Sequence, residues 1–173
     1  MTSAEVLTDA FGRIHDDVHR VLDGLNREQL AARLDSDANS IGWLIWHLTR
    51  IQDDHVAGVA GTEQVWTSAG WADRFALPFD PADHGYGHSS DQVASVVVDA
   101  EPLAAYYDAV HEVTVAYLAG LTNADLDRVV DERWDPPVTL SVRLVSVVHD
   151  DVTHTGQAAF IRGILKRGDA PIS

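Results

Sequence analysis

Three residues of this 173-residue chain have the types and spacing to hold a divalent cation: His47, and Asp150 with His154 four positions after it. Imidazole and carboxylate are the ligands left to a zinc-type ion when thiolate is missing, and the chain has no cysteine. An i, i+4 pair stacks its side chains on one helix face. Three protein ligands with an open fourth position are the arrangement of a catalytic rather than a structural centre. Gln157 follows one turn after His154 and could orient a ligand or a bound water from behind; a helix-packing amide is the plainer alternative.

The pair needs a helix to carry it. The stretch Thr139 to Lys166, TLSVRLVSVVHDDVTHTGQAAFIRGILK, has the apolar periodicity of one. At about 100° per residue, with Asp150 at zero, His154 falls near 40°, Gln157 near −20° and Ile161 near 20°. Val147, Leu165, Leu140 and Ala158 fall between roughly 60° and 80°, so Asp150, His154 and Gln157 are expected to point inward among them. An unpaired inward carboxylate costs several kcal/mol, so a cationic partner is expected at Asp150. His149 lies about 140° around from His154 and makes a poor third partner.

Ser40 to Gly58, SIGWLIWHLTRIQDDHVAG, reads as a second amphipathic helix. Leu44, Ile51 and Gly58 fall within about 60° of His47, which therefore also faces inward. Trp43, one turn earlier, could wall a pocket or simply pack in the core. Asp54 is about 10.5 Å along the axis from His47, too far to share its cation; with His55 it could line the approach to the site, though a solvated helix end is the plainer reading. Either histidine alone is more simply a buried, hydrogen-bonded group. The inward aspartate tips the three together toward a metal site.

Composition narrows the function. A net charge of −15 opposes binding to nucleic acid or an anionic membrane, which rests on clustered Lys and Arg. No apolar run is long enough to span a bilayer, and the N-terminus lacks the order of a signal peptide, so a cytoplasmic protein is expected. The length suits one domain, residues 1–173, with its own core. One lysine against eleven arginines hints at a GC-rich bacterial genome.

The remaining elements follow in order. A first helix is expected over Ser3 to Leu25, capped by Ser3, with a stripe of Val6, Ala10, Ile14, Val18, Val21 and Leu25. His15 and His19 have metal-compatible spacing but lie off that stripe beside Asp16 and Asp17, which favours a solvated face. A helical turn over Arg27 to Leu34 and a polar link to Asn39 come next. Gly61 to Ser89 carries aromatics, prolines and the tip DHGYGHSS. It should hold one helical turn near Thr62 to Ala69 and then an irregular loop folded on the bundle, with His84 and His88 as loop residues. Ser90 or Asp91 caps a segment to Ala100. Pro102 opens a helix to Leu121 with stripe Leu103, Tyr106, Val110, Val113, Tyr117 and Leu121, and with His111 and Glu112 on the surface. Thr122 to Leu126 is a capped turn, Pro136–Pro137 blocks any helix before Thr139, and Gly168 to Ser173 is a tail. Four long amphipathic helices make an all-α four-helix bundle with a long aromatic loop between the second and third, and bundles build metal sites from facing helices.

WLIWHL followed by DxxxHTGQAAFIRGILKRG resembles the DinB/YfiT-like superfamily of small bacterial four-helix bundles, with matches from Ser40 to Asp54 and from Thr139 to Gly168. The family ending, His-x-x-x-His-x-Gly-Gln, falls on Asp150, His154, Gly156 and Gln157, and the helix-two ligand on His47. Asp150 stands where the family has histidine. Aspartate is itself a ligand for zinc, manganese or nickel, so the resemblance implies a site of altered charge and preference, zinc first. It further implies a thiol-dependent S-transferase using mycothiol or bacillithiol, with mycothiol favoured by a GC-rich host. A small electrophile is then the second substrate, and a homodimer is in keeping with the family.

Other readings stay open on the residues themselves. The same ligands could activate water for a hydrolase. Asp16-x-x-His19 and Asp151-x-x-His154 faintly echo a di-metal carboxylate bundle. A non-catalytic bundle with a hydrogen-bonded polar triad is the third, whereas a serine hydrolase lacks its G-x-S-x-G elbow.

Overall fold

The computed structural model describes residues 2–168. The N-terminal half holds α1 (Ser3–Leu22), α2 (Arg27–Ala31), α3 (Ile41–Ala60), α4 (Val65–Ser68) and α5 (Trp71–Phe75). Then come α6 (Ser90–Ala94), α7 (Ala100–Ala119), a two-stranded antiparallel ribbon of β1 (Val129–Asp131) and β2 (Val138–Thr139), and α8 (Leu140–Arg167). The long helices α1, α3, α7 and α8 form the expected bundle. Helix α3 packs on α8 and α7, and α1 packs on the same two, so the α3–α8 and α1–α7 seams lie on opposite sides. No helix among the described residues is long and apolar enough to cross a membrane.

Local chemistry explains the boundaries. Thr2, not Ser3, caps α1: its hydroxyl accepts from the Glu5 amide and the Glu5 carboxylate returns the bond, a reciprocal box that begins the helix one residue earlier. Helix α1 ends at Leu22 rather than Leu25, and its buried line is Phe11, Ile14, Val18, Val21 and Leu22, with Val6 exposed. Ser40 caps α3 by accepting from the Trp43 amide, and Thr139 caps α8 through Val142. Ser89 caps α6, one residue before the expected Ser90. In α7 the buried line turns to Tyr107, Thr114 and Leu118 as well as Leu103, Tyr106 and Val110, leaving Val113 exposed. The chain over 128–139 makes a ribbon that periodicity gave no sign of. Residues 169–173 of the expected tail lie outside the described residues.

Helix α3 is buried almost all round, because α4, α5 and the following loop close over the side the bundle leaves open. Trp66 packs on Tyr106 with ring centroids 5.1 Å apart, and on Phe75 at 5.2 Å. Two helical turns thus stand where one was expected, and the aromatics are what fold the segment inward.

Candidate metal centre

Helix α8 presents its buried stripe through Leu140, Leu144, Val147, Asp151, Thr155, Ala158 and Ile161. That stripe centres roughly 90° from Asp150, so the deepest carboxylate is Asp151, which the periodicity had not marked as inward. Asp150 and His154 are half-buried at the border facing α3, and Gln157 is exposed. The inward expectation for these residues is corrected to that flank: Leu144 and Thr155, left out of the angular reckoning, pull the stripe round. Neither oxygen of Asp151 has a hydrogen-bond partner, and burial, helped by the neighbouring Asp150, pushes its carboxyl well above the usual range. Burial without a partner thus favours the protonated form of Asp151.

The border position is what lets α3 and α8 share a site. One ligand atom each from His47, Asp150 and His154 lie within 4.8 Å of one another. The His47 and His154 rings meet edge to face with centroids 5.0 Å apart, and His154 Nε2 is 3.5 Å from Asp150 Oδ1. Each imidazole has its far nitrogen occupied. His47 Nδ1 donates to the His84 carbonyl at 2.5 Å, and His154 Nδ1 donates to Gln157 Oε1 at 3.0 Å. Such acceptors fix the tautomer that leaves Nε2 as a lone-pair donor. Asp150 Oδ2 is buried without a hydrogen-bond partner. Two oriented Nε2 lone pairs and an orphaned carboxylate oxygen fit a zinc-type cation, and the site offers it no thiolate.

The electrostatics divide the two imidazoles, so that a cation entering the site displaces a proton more readily retained by His154. Burial pulls the His47 imidazole below the usual histidine value, which keeps it neutral and able to ligate. Burial also pulls on His154, but Asp150 and Gln157 outweigh it and hold the ring above the usual value. Burial pushes Asp150 up, and His154, His47 and His55 bring it below the ordinary carboxylate range. The cationic partner expected for Asp150 is thus partly supplied by imidazole.

The supporting shell comes from the loop after α5. Trp43 is buried and stacks on His47, centroids 4.6 Å apart and planes 11° from parallel, so it backs that ring. Its indole N–H donates to His88 Nδ1 at 3.1 Å, and His88 Nε2 in turn meets Asp83 Oδ2 at 3.0 Å. His84 gives its carbonyl to His47. Both loop histidines, unassigned from spacing, therefore brace the site, and the DHGYGHSS run was the only trace of it. Buried Arg50 holds the loop: it donates to the carbonyls of Asp83 and Pro81 and to Gln64 Oε1, and lies 3.8 Å from Asp53. Asp53 takes bonds from the Val65 and Trp66 amides and the Tyr106 hydroxyl.

Asp54 stays outside the ligand group and bonds Gln64 instead. With His55 it is half-buried and lines a cavity of about 670 Å³, so the solvated-end expectation is corrected; the β1 strand and α8 cover that end of α3. Arg128, Arg133 and Arg143 also line the cavity. Its walls start two turns from the ligand positions, at Asp54 on α3 and Arg143 on α8. His19 groups with His15 and Asp108, and His154 with His47 and Asp150, so the two Asp-x-x-His pairs do not build one dinuclear centre.

Fold and geometry define an all-α four-helix bundle with a histidine–aspartate–histidine cluster across one seam. The chain belongs to the mycothiol-S-transferase family, of DinB/YfiT-like bundles, whose model matches residues 6–167. It is also similar to the crystal structure of a conserved protein from Enterococcus faecalis, 29% identical with a TM-score of 0.88 over 94% of this chain and 96% of that one. No curated protein matches the chain significantly.

Proposed function

We propose that this chain is a divalent-metal-dependent transferase that joins a low-molecular-weight thiol, mycothiol by family, to a small electrophile. The convergence of His47, Asp150 and His154, with both Nδ1 atoms already engaged, carries this reading. His47 and His154 would hold the cation through Nε2 and Asp150 through its carboxylate. A divalent cation bound there lowers the pKa of an incoming thiol by several units, supplying thiolate at neutral pH. The chain has no cysteine of its own, so the sulfur must arrive with the co-substrate.

The protein's part is positional. Trp43 and the His84 carbonyl fix the His47 ring, Gln157 fixes the His154 ring, and the loop excludes water from the α3 side. Asp150 contributes one negative charge, so the loaded site is less electropositive than an all-imidazole one. That favours a firmly held cation over the greatest possible thiol acidity. The cavity that begins two turns away, lined in part by Arg128, Arg133 and Arg143, offers room for the polar body of the thiol. In the reaction a sulfur–carbon bond forms at the electrophile, its leaving group departs with the bonding pair, and the thiol proton passes to solvent.

Zinc-loaded protein incubated with mycothiol and a chloro-aromatic electrophile should give the thioether, and His154→Ala should abolish the rate. Equal consumption of the electrophile without thiol would replace this reading with a hydrolase acting through water.

A further inference from the structure

A second cation-ligand group lies on the opposite seam, between α1 and α7. His15 and His19, one turn apart on α1, both aim Nε2 at a single atom, Asp108 Oδ1 on α7, at 3.0 Å and 2.6 Å. One ligand atom from each of the three lies within 4.8 Å of the others. The side chains are 32%, 41% and 47% exposed, so the group is open to solvent on one side. His111 on α7 packs against His15 with ring centroids 4.6 Å apart, and its Nδ1 is buried without a hydrogen-bond partner. The two histidines do lie on a half-exposed face, as their place off the apolar stripe implies, but they converge on one oxygen beside a third ring.

The arrangement repeats the logic of the first site with different residues: an i, i+4 pair on one helix and a third ligand from the helix it packs on. We infer that His15, His19 and Asp108 form a second, independent site for a borderline divalent cation such as zinc, cobalt or nickel, which clips α1 to α7. Two imidazoles and one carboxylate select these ions over magnesium and calcium, which require mostly oxygen ligands. Asp16 and Asp17 next to the pair, in a chain of net charge −15, favour arrival of a cation. A cation held only by the folded arrangement stabilises the fold by mass action, so this site has a readout apart from catalysis.

Equilibrium dialysis against zinc chloride, followed by elemental analysis and thermal unfolding, tests it. The intact chain should hold two equivalents of zinc, and His19→Ala, Asp108→Asn and His154→Ala one each. The double variant His19→Ala with His154→Ala should hold none. Zinc should raise the unfolding temperature of His154→Ala, and that rise should vanish in the double variant. Zinc content unchanged by both His19→Ala and Asp108→Asn would overturn the proposal. So would a His154→Ala protein that takes up no zinc. Loss of metal only on changing His47, Asp150 or His154 would leave the first site standing and remove the second.

Discussion

The Nδ1 of His47 lies 2.5 Å from the carbonyl oxygen of His84, a residue 37 positions later in the chain. That bond ties a candidate ligand on the most buried helix to a loop with little regular structure, and it works because Gly85 comes next. Gly85 has φ +92°, and a Cβ there would stand 2.9 Å from His47 Nδ1 and 3.0 Å from the Trp46 ring. Gly85→Ala must therefore push the loop off the ligand. We expect metal affinity to fall about 10- to 100-fold, the usual loss when a ligand's outer partner is displaced. Competition with a chromophoric chelator measures it, and an unchanged affinity would refute the bracing role.

Gln157→Leu separates bracing from folding. The residue is exposed, so helicity and unfolding temperature should hold, while His154 loses the acceptor for its Nδ1–H. The same chelator competition should show a loss of about 10-fold or more. A stability loss without an affinity loss would make Gln157 a packing residue.

Arg50→Met removes the buried cation that ties α3 to the loop carbonyls of Pro81 and Asp83 and faces Asp53. Breaking one side of a buried pair costs about 3–5 kcal/mol, which at roughly 2–4 °C per kcal/mol lowers the unfolding temperature by about 6–20 °C. Differential scanning calorimetry checks this. A shift of a degree or less would mean that the aromatics alone hold the loop.

Asp131 gives a pH signature. The Arg133 guanidinium and amide, with Arg143 3.1 Å away, hold its carboxyl well below the ordinary value of 3.8. A depressed folded-state value means that the stabilisation is full above the unfolded value and is lost progressively as pH falls from there through the folded-state value. Asp131→Asn should therefore unfold at a lower temperature than the parent near neutrality. The gap should begin to narrow as pH falls below about 4 and go on narrowing toward the depressed folded-state value. A gap that is constant across that range would show that the ribbon is held by something other than this charge.

Much of the site was legible because it rests on helix arithmetic. His47, Asp150 and His154 are set by two strong periodic stretches with clear caps at Ser40 and Thr139, and such stretches fix which residues share a face. The exact facing was harder to read. Polar Asp151 and Thr155 occupy buried positions of α8, so hydrophobicity alone placed the stripe roughly 30° short of its centre. The His84, Gly85 and His88 brace was illegible, since loop contacts depend on tertiary packing rather than on spacing. His15 and His19 do lie on a half-exposed face, and their convergence was illegible for a related reason: their partner, Asp108, lies 89 residues away from His19 on another helix.

A cation held between α3 and α8 is the premise of the proposed function. A crystal of the zinc-soaked protein, with anomalous data collected on both sides of the zinc edge, tests this most directly. It should show a peak about 2.0–2.2 Å from His47 Nε2, His154 Nε2 and an Asp150 oxygen. Ordered side chains at all three positions with no peak between them would contradict it.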